Sequence, residues 1–363
     1  MRYFLLLVAS AAIALPAHAQ VWTTIPLGTG STVRTIVEGG GFSDLYLVGD
    51  NGLVAHSDAG RTVWTLESPL TSVDLFSGRR PTSSQLWVSG EAGVVRLKLT
   101  GTWFSRNVPN ALERFVMYSR ESGCQNALGS AGSLYQTCDG GVSWATLNSG
   151  VSVSLNHGAG FITSTSWIVG DGGTILHSTD GSQTWVAQNS GTTEDLHYII
   201  EAGFGYVIAV GKGGTVLRTN DSGTTWTQSP LPITTNLWMI NTSGASGAQM
   251  LAVGNGGMVL KSTDSGATWC QLDPGTSVNL YGVDMVSNSE YIVAGENGVM
   301  RRTTDGGGSC GTPVDPPPPM DPPLPVPGLS AWAVLLAVAA MTLSVVRSRR
   351  AAAVAVMAER VQR

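Results

Sequence analysis

One stretch decides the fold: VGDGGTILHSTDGSQTW, Val169–Trp185. A G-x-x-G turn opens it at Gly170–Gly173, and a short run containing Ile175 and Leu176 follows. An acidic turn built on Ser178 and Asp180 then leads to Trp185. Glycine-rich tight turns between short apolar runs read as antiparallel strands. Taken alone, the stretch is equally a binding site, a catalytic fragment or a packing device.

Repetition separates these readings. The glycine that opens the turn recurs at Gly49, Gly90, Gly129, Gly170, Gly211, Gly254 and Gly295, in steps of 41, 39, 41, 41, 43 and 41 residues. A period near 40 indicates propeller blades or a helical solenoid. Units rich in Gly, Thr, Ser and Val exclude the helical option. In the fifth unit, LHYII, GYVIAVG, GTVLRT and TTWTQ read as four strands. Seven such units predict an all-β, seven-bladed β-propeller.

Tryptophan counts the blades independently. Trp22, Trp64, Trp103, Trp144, Trp185, Trp226 and Trp269 recur at nearly the same step, and the next position holds Cys310. Eight outer positions for seven turns predict that residues 21–25 join the outermost strand of the last blade. That closes the ring and removes exposed sheet edges.

The acidic turn recurs as SDAGRTVW (57–64), TCDGGVSW (137–144), STDGSQTW (178–185), TNDSGTTW (219–226), STDSGATW (262–269) and TTDGGGSC (303–310). The pattern resembles the Asp-box, or bacterial neuraminidase repeat. A short carboxylate in a turn accepts the amides of that same turn. Asp58, Asp139, Asp180, Asp221, Asp264 and Asp305 are therefore read as structural. Trp64, Trp144, Trp185, Trp226 and Trp269 are read as packing between blades.

The two ends predict export. MRYFLLLVASAAIALPAHA, residues 1–19, has the charge, apolar run and small-residue site of a signal peptide. Residues 20–312 form the expected propeller. Residues 313–327 hold nine of the 17 prolines and read as an extended linker. Residues 328–346 carry no charge and are just long enough for a transmembrane helix. RSRR then opens a basic cytoplasmic tail over 347–363, which would leave the propeller outside the membrane. Between Gln20 and Val346 lie 14 Lys or Arg against 24 Asp or Glu, which argues against nucleic-acid binding.

Four cysteines in an exported chain allow three disulfide pairings. Cys124 and Cys138 flank a predicted hairpin, and Cys270 with Cys310 would then pair by elimination. Four free thiols are the alternative. None of the five histidines stands in a metal-ligand spacing, and neither a metal nor a cofactor is expected.

Sialidases share the Asp-boxes, but no RIP stretch of their substrate-binding arginines occurs. A glycoside hydrolase needs two carboxylates about 5–9 Å apart. Asp74, Glu194, Asp195 and Asp284 are present, but nothing in the sequence brings a pair together. The leading expectation is a non-catalytic propeller. The alternative is an Asp-box glycoside hydrolase or glycan-binding module outside the cytoplasm.

The basic residues that stand out are Arg34, Arg79, Arg80, Arg114 and Arg120, in or near the first strands of blades one to three. Such a patch suits a partner's carboxylates or carbonyls. The whole 21–310 region, with GYVIAVGKGGTVLRTNDSGTTW and YGVDMVSNSEYIVAGENGVMRRTTDGG, resembles the photosystem II stability/assembly factor-like family. That resemblance implies a non-enzymatic propeller that escorts protein partners through an arginine-rich patch, to which the five arginines would correspond as a group. PVPGLSAWAVLLAVAAMTLSVVRSRR also resembles the I-P-T-L-S-x-W type of C-terminal sorting signal, with Val326–Trp332 in place of the motif. It implies a sorting protease as a further partner. The expected location is the periplasmic side of the inner membrane, or the cell surface or exterior after C-terminal processing. The expected partner is an envelope or secreted protein, with glycan as the other class.

Overall fold

The computed structural model describes residues 22–308, apart from 38–42, 69–70, 110–115, 120–122, 161–163, 204 and 244–246. The described chain forms seven four-stranded antiparallel sheets. In blade five the order is Leu196–Gly203, Tyr206–Gly211, Val216–Thr219 and Thr227–Gln228, each strand hydrogen-bonded to the next. The first strand of each blade is innermost and lines the axis.

The last blade is completed by the start of the chain. Leu280–Met285, Tyr291–Gly295 and Met300–Thr303 are its first three strands, and Thr23–Thr24 is the fourth. Thr23 pairs with Arg302 and Thr24 with Arg301. The Ile25 amide donates to the Met300 carbonyl at 3.2 Å, extending the seam.

The core consists of seven separate layers, one between each pair of neighbouring blades. Alternating strand residues face opposite sides of a sheet, so every sheet contributes to two layers. At the seam, Ile25 and Leu27 join Val33, Leu47 and Trp64 of blade one and Ile292 and Met300 of blade seven. Trp269 closes the layer between blades five and six, against Ile208 and Met250. Trp226, Trp144 and Trp185 pack into the layers that join each one's blade to the preceding blade. The indole of Trp144 donates to the Arg106 carbonyl at 3.1 Å, and that of Trp226 to Gln188 Oε1 at 3.1 Å.

In the fourth blade's acidic turn, Asp180 Oδ1 accepts the amides of Gln183 and Thr184, and Oδ2 accepts the Thr184 hydroxyl. Ser178 donates its hydroxyl to Asp180 and accepts the Ser182 amide. Asp139, Asp221 and Asp264 are held in the same way. Asp305 accepts the Gly307 amide and the Thr303 hydroxyl. In the first blade Asp58 accepts the Thr62 and Val63 amides. There Asp58 directly follows Ser57, and the Ser57 hydroxyl accepts the Leu45 amide.

Cys124 and Cys138 form a disulfide, with Cα atoms 4.1 Å apart, one step beyond the Gln125–Thr137 pair. Cys270 is also disulfide-bonded. Its expected partner, Cys310, lies outside the described residues.

One expectation is corrected. Among the described residues no helix is long and apolar enough to cross a membrane; the helical elements are single 3-10 turns. The described fold is an all-β propeller, and nothing supports the transmembrane helix expected over 328–346. Membrane attachment through that helix is likewise unsupported as a partner assignment. The helix was read from a charge-free run of the minimum spanning length followed by RSRR, and residues 309–363 lie outside the described residues. The signal segment, residues 1–19, also lies outside them.

Candidate functional site

The seven innermost strands enclose a cavity of about 470 Å³ on the propeller axis. Every blade contributes to its wall, through Arg34, Phe76, Val116, His157, Tyr198, Trp238 and Tyr281 among others. The cavity has two different ends, because the innermost strands all run in the same sense. They begin beside the G-x-x-G turns and end at the hairpins to the second strands.

At the turn end, one strand position repeatedly meets one turn position. Arg34 Nε donates to Asp50 Oδ1 at 2.5 Å and Nη2 to Oδ2 at 3.1 Å. Asn156 Nδ2 donates to Asp171 at 2.8 Å, Trp238 Nε1 to Asn255 at 2.6 Å, and the Tyr281 hydroxyl to Glu296 at 3.1 Å. The turns also fasten each blade to the next. The Asn51 amide donates to Asp74, Gly172 to Asp195, Gly213 to Asn236 and Gly256 to Asn279, at 2.9–3.1 Å.

An arc of π systems runs around this mouth. His197 stacks on Trp238 with centroids 4.2 Å apart, and Trp238 meets Tyr281 at 5.6 Å. The Arg34 guanidinium lies 5.1 Å from the Tyr281 ring and 5.7 Å from Phe76. Burial works against the Arg34 charge, but the bond to Asp50 prevails, so its pKa is raised. A second recess of about 320 Å³ opens beside the arc and shares Val116, Asn156, His197 and Trp238 with the axial cavity.

Deeper in the channel, His157 stacks on Tyr198 at 3.5 Å, and its Nδ1 lies 3.1 Å from the Ile199 carbonyl. Burial, with a smaller contribution from Arg79, pushes its pKa down to about 3, so the ring is neutral. Glu201 is pushed up to about 7 by burial. Its Oε2 is buried with no hydrogen-bond partner among the described residues.

The structure separates the arginines grouped by sequence. Arg34 stands at the turn end. Arg79 and Arg80 stand at the hairpin end, where Arg80 pairs with Asp44 at 3.0 Å and reaches the Ser83 carbonyl. Arg34 is level with Phe76, so Arg79 lies three strand residues further along, about 10 Å. Arg79 lines the cavity and Arg80 does not. Arg114 and Arg120 lie outside the described residues.

Of the carboxylates considered for hydrolysis, Asp74 and Asp195 serve as acceptors for turn amides. Asp284 is buried and forms no part of the cavity wall. Among the described residues no group of three His, Cys, Asp or Glu is placed to hold a metal. The Asp-boxes follow the third strands, whereas the cavity wall is built by the first strands. Sequence reasoning missed His197, Trp238, Tyr281 and Glu201. The available signal was the position after the apolar residue that opens each first strand, which reads Arg34, Phe76, Asn156, His197, Trp238 and Tyr281 around the ring.

Residues 186–315 match the family described as photosynthesis system II assembly factor YCF48. Among curated proteins none matches. The fold is similar to a structure of YCF48 bound to D1 peptide, with a TM-score of 0.65 and 20% identity over 82% of this chain and 99% of that one. YCF48 from Cyanidioschyzon merolae gives 0.62 and 20%, over 78% of this chain and 98% of that one. The WD40 propeller domain of Doa1 gives 0.64 at 13% identity, over 79% and 97%. The family match ends at residue 315, and no comparison supports the sorting-signal resemblance or its protease. The chain is a seven-bladed propeller that resembles the YCF48 assembly factors, by sequence over residues 186–315 and by fold around the ring.

Proposed function

We propose that this protein is an exported, non-catalytic propeller that holds a segment of a protein partner in and over its axial channel. The observation that carries the reading is the channel itself. It is open, about 470 Å³, and mixes aromatic, apolar and charged side chains from all seven blades. Such a wall suits a chain segment with varied side chains. The structure of YCF48 with a bound D1 peptide supports a peptide ligand for this architecture. The export part of the reading rests on the signal-like residues 1–19, with the propeller over 20–312 and a proline-rich linker over 313–327. Arg79, on the channel wall at the hairpin end, is the proposed contact for a partner carboxylate or carbonyl there.

Site-specific photo-crosslinking in envelope preparations tests this. A crosslinker at Thr242, on the channel wall, is expected to capture a discrete partner. Crosslinkers at the exposed positions Val142 and Val186 are expected to give none. Equal capture from all three positions, or none from Thr242, would overturn the reading.

A further inference from the structure

The turn-side mouth of the channel contains one complete guanidinium cradle and the parts of a second. In the complete one, Arg34 lies between the rings of Tyr281 and Phe76 and is held at two points by Asp50. The recess on the far side of the His197–Trp238 stack has the same kind of wall. Indole, imidazole and the apolar Val116 line it, and two carboxylates, Asp171 and Asp195, face it. Among the described residues no cationic side chain lines it.

Both carboxylates already accept one bond, Asp171 from Asn156 and Asp195 from the Gly172 amide. A carboxylate has two oxygens and further lone pairs, so each retains acceptor capacity. Lys212 lies 4.0 Å from Asp195, but its side chain is 55% exposed and stays outside the recess. The surrounding turns and inter-blade loops add Asp74, Glu91, Glu194 and Glu296, so among the described residues the mouth is strongly negative. A charge of one sign around a concave, low-dielectric wall concentrates counter-charged ligands. A planar cation gains twice there, from the ring faces and from the carboxylates.

We infer that this recess receives an arginine side chain of the partner, so that the segment entering the turn side is basic. The inference rests on the channel being the partner site, and it fixes the charge of what enters from one side. It differs from the sequence expectation of an arginine patch seeking carboxylates, because Arg34, the one arginine among the described residues at this mouth, is already paired with Asp50.

The ring supplies its own non-disruptive variants. Asn236 and Asn279 occupy the Asp195 position and accept the same turn amide. Asn255 occupies the Asp171 position and accepts the Trp238 indole. Asp171→Asn/Asp195→Asn is therefore expected to keep the fold while removing both charges. Asp273→Asn is the control away from the recess, since Asn148 and Asn189 cap the equivalent turns.

The probe is acetyl-(Gly-Arg)₃-Gly-amide, titrated calorimetrically into the full-length chain beside its citrulline and glutamate counterparts. The arginine peptide is expected to bind saturably. Its affinity should fall about tenfold or more in Asp171→Asn/Asp195→Asn, and the citrulline peptide should bind as weakly to the native chain. Asp273→Asn should change little. Equal binding of the arginine and citrulline peptides, an unaltered affinity in the double variant, or preference for the glutamate peptide would each overturn the inference. Crosslinking from Thr242 in that case leaves the channel reading standing. Arginine-selective binding without that crosslinking has the opposite meaning.

Discussion

Arg34 and Asp50 face each other at the channel mouth, joined by two hydrogen bonds of 2.5 and 3.1 Å, although sixteen residues separate them. The strand that carries Arg34 and the turn that carries Asp50 belong to one blade, so the pair ties the axis to the turn.

Both side chains are only partly exposed, at 29% and 19%. Asp50→Asn leaves Arg34 charged between two rings with a weaker partner. Its expected cost is about 1–2 kcal/mol, between the values for exposed and buried pairs. Arg34→Lys keeps the charge but loses the fork geometry, so it should destabilise to a similar degree. Urea unfolding of the two variants measures this, and a loss confined to Asp50→Asn would show that charge alone sustains the contact.

The Asp-boxes predict a lower pH limit. Hydrogen bonds from the turn hydroxyls and amides bring Asp180 and Asp221 down to about 2 and also lower Asp58 and Asp139. At Asp264 burial opposes the shift, but the bonds from Thr268 and Ser262 prevail. A lowered folded-state pKa contributes stability that is present above the unfolded value, about 3.9, and is lost as pH falls toward about 2. The melting temperature should therefore be steady above about pH 5 on this account and fall steeply below about pH 4. Asp180→Asn should lower the plateau and shrink the acid-induced drop. A drop of unchanged size in that variant would assign acid sensitivity to other groups.

Glu201 predicts the opposite slope in a different window. Burial raises it to about 7, so the folded state holds a proton that the unfolded chain releases near its ordinary value. Its contribution is fully present below about pH 4.3 and is lost as pH rises through about 7. Glu201→Gln should melt higher than the native chain at pH 8 and no higher at pH 4.5. Identical melting curves at pH 8 would show that the carboxylate carries no buried-charge penalty.

Two adjacent glycines in one turn should behave differently. Gly172 and Gly173 both have positive φ, at 63° and 72°. A Cβ on Gly172 meets nothing within 4 Å, whereas one on Gly173 would lie 2.0 Å from the Thr192 carbonyl. Gly172→Ala reproduces the native Ala131 of blade three, at φ 50°, and should cost about 1 kcal/mol. Gly173→Ala drives apart the turn and the loop entering blade five, and should cost about 3 kcal/mol or more. Chemical denaturation distinguishes them, and equal costs would mean that the loop yields freely.

The ring was legible because its determinants repeat in kind. A turn that needs positive φ favours Gly or Asn, and an acidic turn that caps itself requires Asp with Ser or Thr. The site was less legible because its determinants repeat only in position. Arg34, Asn156, Trp238 and Tyr281 differ in every chemical respect, yet each meets the same turn residue of its blade. Arg34 and Arg79 both lie on first strands, but their different depths on those strands place them at different ends of the channel. The membrane helix was inferred from an apolar run and the basic RSRR after it, and no described element supplies it.

The pairing of Thr23–Thr24 with Arg301–Arg302 joins the earliest and latest parts of the ring to be synthesised. Six blades can form as the chain emerges, but the seventh lacks its outer strand until both ends are present in one compartment. Until then Thr23–Thr24 has no ladder partner, and the seam layer around Ile25 and Leu27 lacks Ile292, Ala294 and Met300. A contact across 279 residues is closed late. The interval between the emergence of the two ends is thus the period of greatest exposure to proteases and to edge-to-edge association.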